Sequence, residues 1–453
     1  MKYKIAIALT SLCCFLLMVF LLFPYDTNWD SSYIFSTIKG GDIQIDSWMG
    51  WCYPLIWKGL YDVSGFSQVM GAFQIFIFWL SISIIAVCLL PHNLKGYLIF
   101  LLFSLFPNNI LFIAFISNNS FLYCILLLAL AMWSVRLHND RHSRIYLILC
   151  YSLLLVSCFV RREALFFIVP LAIVIIRLEL GGNLRSIWSW LISICVAIVI
   201  FLVPLLFEKA VTSRYDDYNK FSTYQLTALV DFTGMSIKKG ELLWPDYIIN
   251  DEYKGREPEI LEELNNCPYI YDDMTIFEYC GLKKFLKSND IWRDTRMKNN
   301  EIIRIYLHNI LYYIRYRAGM AFQLAFNSSC MFVNAPMEGY DELSGNRYLY
   351  SIRKYYPGFL KCAGVYLMAI IIAIGSLVFK IKKSARIHLS IRRWVVAFSV
   401  LLSVLLAVIV VVMGCPSAQV RYLYPYILIG FGAIAVMISK IEFSNEDSIH
   451  IRD

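Results

Sequence analysis

Charge is scarce in this chain of 453 residues: Asp, Glu, Lys and Arg make up 16%, against roughly a quarter in a soluble domain. Apolar residues reach 59%, which excludes an ordinary soluble fold. Histidine numbers only six, and the six form no metal set with cysteine or acid. The 13 cysteines contain no C-x-x-C pair, so neither a zinc ribbon nor a thioredoxin-type motif is encoded. There is no Walker sequence, no other Gly-rich phosphate loop and no G-x-S-x-G. Stretches long enough to build a cytoplasmic nucleotide-driven domain are lacking too. Internal repeats and low-complexity tracts are absent.

What remains is apolar. Runs near the ~20 residues that a hydrocarbon core demands recur along the chain. Ten are read as spans: 5–23, 68–90, 97–116, 120–137, 145–160, 164–178, 187–206, 360–379, 394–413 and 422–440. The expected fold class is an all-α polytopic membrane protein of about ten transmembrane helices, with a mixed, mostly helical extracytoplasmic segment. The first run starts like a signal peptide but is too long for an h-region and lacks a small-x-small cleavage site, so it reads as an uncleaved span. Pro107-Asn108-Asn109 interrupts the third, and Ser117-Asn118-Asn119 joins it to the fourth. Irregular backbone at that depth needs protein or water around it.

Basic residues set the orientation. With the N-terminus inside, the cytoplasmic stretches hold 16 basic and six acidic residues, whereas 208–359 holds 19 basic and 21 acidic. The net charge of +8 therefore reports topology and points to no nucleic-acid partner. Both termini are expected in the cytoplasm of a bacterial inner (plasma) membrane, with 24–67 and 208–359 outside. The chain divides into 1–206, an N-terminal transmembrane module; 207–359, an extracytoplasmic segment; and 360–453, a C-terminal transmembrane module with a short tail. Within 207–359, Asn219 to Val230 reads as helix. Glu301 to Phe326 reads as one amphipathic helix suited to lie along the outer membrane surface. Cys267 and Cys280 share this polar region, either paired or as two thiols.

The segment 24–67 is rich in acid and aromatic residues: Asp26, Asp30, Asp42, Asp46, then Trp48, Trp51, Tyr53, Pro54 and Trp57. A carboxylate within hydrogen-bond reach of a sugar hydroxyl can act as its base, and flat aromatic faces suit a pyranose ring. Asp26, Asp46 and Asp30 are the candidate catalytic residues, and Trp48, Trp51 and Tyr53 the candidate sugar-binding ones. The plainer reading is that the acids keep the loop wet and the aromatics anchor it at the interface. Arg161 and Arg162, in Phe159-Val160-Arg161-Arg162-Glu163, run against the positive-inside bias, as does Arg421 in Arg421-Tyr422-Leu423-Tyr424-Pro425. A guanidinium fork matches a lipid phosphate. The alternatives are an Arg162–Glu163 contact and a snorkelling Arg421. Asp231, after Tyr224-Gln225-Leu226, reads first as a surface acid ending a helix.

Taken together, Asp46-Ser-Trp48-Met-Gly-Trp51-Cys-Tyr53-Pro54, Arg161-Arg162-Glu163-Ala164, the Tyr-Gln-Leu…Asp231 stretch and Arg421-Tyr-Leu-Tyr-Pro resemble the GT-C superfamily, polytopic glycosyltransferases that use polyprenyl-phosphate-linked sugars. The bacterial members found among surface-polysaccharide genes are the nearer likeness. The likeness covers the whole chain in layout and is specific only at these patches. Two positions depart from it. Relatives often carry Lys-Asp where Asn118-Asn119 stands here, and His where Tyr53 precedes the proline.

The resemblance implies a polyprenyl-phosphate-linked sugar donor, a lipid-linked or surface glycan acceptor such as O-antigen, and membrane lipids as partners. It implies donor phosphate at Arg161, Arg162 and Arg421, an aspartate as general base and inversion at the anomeric carbon. Some relatives use a divalent metal (Mg or Mn) and others none, and the residues favour neither. Two other functions fit the layout less well. A polysaccharide polymerase should lean on arginines of the large outer segment. A flippase or transporter should show matched halves and charged or broken helices at mid-membrane.

Overall fold

Lipid supplies no hydrogen-bond partners, so an apolar chain closes its backbone bonds within helices. The computed structural model describes residues 2–27, 29–40, 51–138, 144–179, 187–212, 223–267, 280–287, 297–326, 347–355, 357–384, 391–414 and 422–441. It is an all-α polytopic membrane protein. The chain opens with α1 (Lys2–Leu21), strand β1 (Asp26–Thr27), α2 (Trp29–Lys39) and α3 (Cys52–Ser64). There follow α4 (Val69–Leu89), α5 (Leu94–Ser104), α6 (Pro107–Ile113), strand β2 (Phe115–Ile116), α7 (Asn118–His138), α8 (Arg144–Val160), α9 (Leu165–Glu179) and α10 (Ile187–Thr212). The polar segment holds α11 (Thr223–Lys239), α12 (Glu257–Asn266), α13 (Asn299–His308), α14 (Ile310–Phe326), α15 (Arg347–Tyr355) and α16 (Gly358–Lys361). The chain closes with α17 (Ala363–Ser384), α18 (Ile391–Gly414) and α19 (Tyr424–Ile441).

Every apolar run read from the sequence is occupied by helix. Among the described residues α1, α4 and α7 are long and apolar enough to cross a bilayer, and α5 with α6, bent by 49° at their junction, makes a fourth. The apolar stretches of α8, α10, α17, α18 and α19 are shorter. Arg136 at the end of α7 pairs with Glu179 at the end of α9 at 2.8 Å. Those two helices therefore run the same way, with α8 returning between them.

The α5–α6 break shows how a polar interruption survives at this depth. Pro107 has no N–H to continue α5, so the helix restarts there. The Phe103 carbonyl and the polar side chains of the break are met from inside the protein. Asn109 Nδ2 donates to the Phe103 carbonyl at 2.6 Å and its Oδ1 accepts from the Tyr123 hydroxyl at 2.9 Å. Asn108 Nδ2 donates to the Leu360 carbonyl at 3.0 Å and to the Tyr366 hydroxyl at 2.6 Å. Both asparagines are fully buried. After α6 the chain forms β2, which pairs in parallel with β1 in the register Asp26 to Phe115 and Thr27 to Ile116. This two-residue ladder departs from the purely helical expectation. A pairing so short carries no period-2 pattern to find in the sequence.

Buried residues form two clusters. One spans the apolar helices; the other, inside the polar segment, includes Leu229, Phe232, Trp244, Ile260, Phe285 and Ile302. Cys267 and Cys280 form a disulfide there. Two expectations for this segment need correction. Glu301–Phe326 is two helices that meet at Asn309. Asp231 is no helix-terminal surface acid: α11 runs on to Lys239, and Asp231 lies inside it, buried. Its carboxylate meets Arg317 of α14 at 2.8 Å, each side chain only 1% exposed, and accepts from the Tyr306 hydroxyl at 2.7 Å. Burial pushes the Asp231 carboxyl up from its ordinary value, against the downward pull of Arg317 and Tyr306.

That pair joins the two clusters. Arg317 Nη1 also donates to the Val412 carbonyl at 3.2 Å, and the Tyr313 hydroxyl to the Met413 carbonyl at 2.7 Å. Both are among the last carbonyls of α18, where cations and donors are favoured. Gly234 admits the Tyr316 ring against α11, where a Cβ would collide with it. Removing one member of a buried pair strands the other charge. Asp231→Ala should therefore cost about 3–5 kcal/mol, read as a fall in the thermal unfolding midpoint of the purified protein. Asp251→Ala, in an exposed pair with Lys254, should shift it little; equal shifts would show the buried pair to be idle.

Candidate functional site

Arg161 stands where α8 gives way to a 3₁₀ turn, Arg162–Ala164, leading into α9. Its backbone is extended, which ends α8. Its side chain, 12% exposed, is gripped from three directions. Nε donates to Glu163 Oε2 at 3.3 Å and Nη2 to Glu163 Oε1 at 3.4 Å, a two-armed contact. Nη1 donates to Asn119 Oδ1 at the start of α7. The guanidinium carbon lies 4.9 Å from the centre of the Tyr422 ring, just before α19. A planar cation with several fixed N–H donors suits this arrangement, and a lysine would not reproduce it.

The Asn119 contact also relates Arg161 to Asp26. The Asp26 N–H donates to the Ala114 carbonyl at 3.2 Å, and its residue lies opposite Phe115 in the ladder. From Phe115 to Asn119 is four residues, at most about 14 Å of chain. One short segment therefore has the first aspartate strand on one side and the guanidinium on the other. The segment is fixed from several helices. Gln74 Nε2 donates to the Phe115 carbonyl at 3.2 Å, and Ser31 Oγ to the Ile116 carbonyl at 2.6 Å. Gln68 Oε1 accepts from the Tyr25 N–H at 2.9 Å. Asp26 itself is buried.

The aromatic residues divide. Trp51, before α3, is partly buried, its ring 5.0 Å from Phe159 and 5.7 Å from Phe207 between centres. Phe159 is two residues from Arg161, so Trp51 borders the same rim. Tyr53 and Trp57 have no exposed surface. Tyr53 packs on Trp57 and Phe121 at 5.7 and 5.6 Å, and in this conformation it offers no face to a sugar. Arg162 is exposed. Asp30 belongs to α2, but its side chain lies outside the described set, as do residues Asp42, Asp46, Trp48 and Arg421 entirely. The structure thus ties the Asp26 strand and Arg161 to one segment, Phe115–Asn119, and packs Trp51 on Phe159 near Arg161.

Three contributors went unrecognised in the sequence. Asn119 stood out only as a departure from a resemblance, yet it is the acceptor that holds Arg161. Glu163 pairs with Arg161. Tyr422 was noticed only as part of the Arg421 motif. Loss of solvent raises the Glu163 carboxyl, but Arg161, a backbone hydrogen bond and Arg162 outweigh it and hold the pKa below the ordinary glutamate value. A depressed carboxylate is a weak base, so Glu163 reads as Arg161's partner. Its pairing is intact above the ordinary glutamate pKa of about 4.3 and is lost as pH falls through the lower folded value. Among the described residues no three His, Cys, Asp or Glu side chains gather as a metal site.

No protein-family model matches the chain, and no curated protein does. Among solved structures it is similar to ArnT from Cupriavidus metallidurans bound to undecaprenyl phosphate. The identity is 12% over 98% of this chain and 81% of that one, with a TM-score of 0.34. A score of that size gives no residue correspondence.

Asn119 is buried and accepts from a charged donor, a bond worth about 1.5–3 kcal/mol. Asn119→Ala should lower the unfolding midpoint accordingly. An unchanged midpoint would mean that Arg161 is held without it.

Proposed function

We propose that this protein is an integral-membrane glycosyltransferase of the GT-C type. It moves a sugar from a polyprenyl-phosphate donor to a lipid-linked or surface glycan on the extracytoplasmic face. The observation that carries the reading is the single segment from Phe115 to Asn119, which pairs with the Asp26 strand and holds the Arg161 guanidinium. An anion-binding group and a carboxylate on one rim are what glycosyl transfer from a lipid phosphate requires. The sequence resemblance, which shares the Arg161-Arg162-Glu163-Ala164 patch, supports it.

In the proposed mechanism the donor phosphate meets Arg161 and Arg162, with Arg421 as a third candidate. Their charge stabilises the phosphate as it leaves. Asp26, or Asp46 or Asp30 of the same segment, takes the proton from the acceptor hydroxyl. The hydroxyl oxygen attacks the anomeric carbon, the bond from that carbon to the phosphate oxygen breaks, and polyprenyl phosphate departs with inversion. Trp51 is the best-placed aromatic for the sugar, with Trp48 as a further candidate. The described residues gather no donor set for Mg²⁺ or Mn²⁺, and no step is routed through either.

Several features support an extracytoplasmic site in a bacterial inner membrane. Basic residues concentrate on the loops assigned to the cytoplasm. The Cys267–Cys280 disulfide suits an oxidising compartment. Arg317 and Tyr313 attach the polar segment to the end of α18, which the chain leaves before Tyr422 and Arg161's rim. A polymerase, the nearest alternative, would use arginines of the large polar segment. There Arg317 is buried in its pair with Asp231, while Arg304 and Arg315 are exposed.

Asp26→Asn and Asp46→Asn should each be assayed with a polyprenyl-phosphate sugar and isolated acceptor. The variant that removes the base should lose about 10²–10⁴-fold in rate while still inserting in the membrane; full activity in both would place the base elsewhere. Arg161→Ala should weaken donor use. Deleting the gene should remove one sugar from the surface polysaccharide; shortened chains of intact repeats would instead support a polymerase.

A further inference from the structure

The helices α13 and α14 carry an exposed apolar stripe outside the spans. Ile303, Leu307, Ile310, Leu311 and Ile314 are all exposed, Leu307 by 69% and Leu311 by 68%. At 3.6 residues per turn Ile303 and Leu307 share one face of α13, and Ile310, Leu311 and Ile314 one face of α14. Arg304, His308 and Arg315 are also exposed and follow one edge of that stripe. The opposite face holds Ile302, Asn309 and Tyr316, all buried. The stripe is thus not the side that packs on the protein.

Its position relative to the end of α18 is fixed. The Tyr313 hydroxyl donates to Met413 and Arg317 to Val412, carbonyls in the last turn of α18. Leu402, Leu406, Ile409 and Met413 expose apolar surface along α18 up to that same end. The α14 stripe begins where this lipid-facing surface stops. An apolar face continuous with the surface of a span, edged by cations, matches the layer where acyl chains meet anionic headgroups.

We infer that α13 and α14 lie in the headgroup layer of the membrane face at which α18 ends, with the apolar stripe in the acyl boundary and Arg304 and Arg315 on anionic lipid headgroups. The bilayer thereby sets the tilt of the polar segment, through the same Tyr313 and Arg317 contacts that fix it to α18. This holds whatever reaction the protein catalyses.

The test uses the full chain in vesicles of phosphatidylethanolamine and phosphatidylglycerol. The photo-crosslinking amino acid p-benzoylphenylalanine replaces Leu307 or, separately, Leu311; both side chains are exposed, so folding should survive. A third variant carries it at the buried Ile302. Irradiation should give lipid adducts by mass spectrometry from positions 307 and 311 and none from 302. A covalent dimer from 307 or 311 would show that a second copy covers the stripe, and lipid-free protein would show that water does; either result overturns the inference. With Arg304→Glu and Arg315→Glu added, the preference for phosphatidylglycerol in the adducts should fall at least fivefold. An unchanged preference would overturn the anionic-lipid assignment.

Discussion

Every polar backbone group inside the bilayer must find a partner within the protein, and the stretch from Ser104 to Asn119 is where that demand shapes this fold most. Pro107 ends one helix and starts another, and the carbonyls released there would each cost several kcal/mol in lipid. Asn109 meets the Phe103 carbonyl and is itself held by Tyr123, while Asn108 ties the break to Leu360 and Tyr366. With the break stabilised, the chain emerges at a defined point and runs as β2 beside Asp26. It then enters α7 through Asn119. The candidate site is thus a consequence of how a broken span is made tolerable.

The same logic governs Arg161. A guanidinium at the edge of an apolar bundle is costly unless its donors are engaged. Here Glu163, Asn119 and the face of Tyr422 engage it, and each comes from a different part of the chain. Its orientation is set before any ligand arrives, which is the condition under which a fixed cation stabilises developing charge most effectively. Arg162 stands exposed beside it.

Arg317 solves a related problem differently. Buried with Asp231, it satisfies the last turn of α18 and joins the polar segment to the spans. Ion pairs this deep seldom add net stability over apolar packing; they specify which surfaces meet. The relation between membrane bundle and polar segment is therefore held at named atoms.

Much of this was determined by the sequence alone. The apolar runs declared the membrane class and the place of every long helix, because segment length and hydropathy are local quantities that lipid reads directly. Pro107 announced the break, and the basic residues implied an orientation. Short patches around Asp26, Trp51 and Arg161 suggested glycosyl chemistry. Tertiary structure alone decided which partners those patches have. Nothing local in Asn119 says that it will face Arg161, 42 positions away. Nothing around Asp231 says that Arg317 will bury it, because the apolar residues beside it suit a helix end as well as a helix interior. Tyr53, a candidate for sugar binding, is core because Trp57 and Phe121 close over it. Contacts between distant segments depend on how helices pack, and packing is a property of the folded whole.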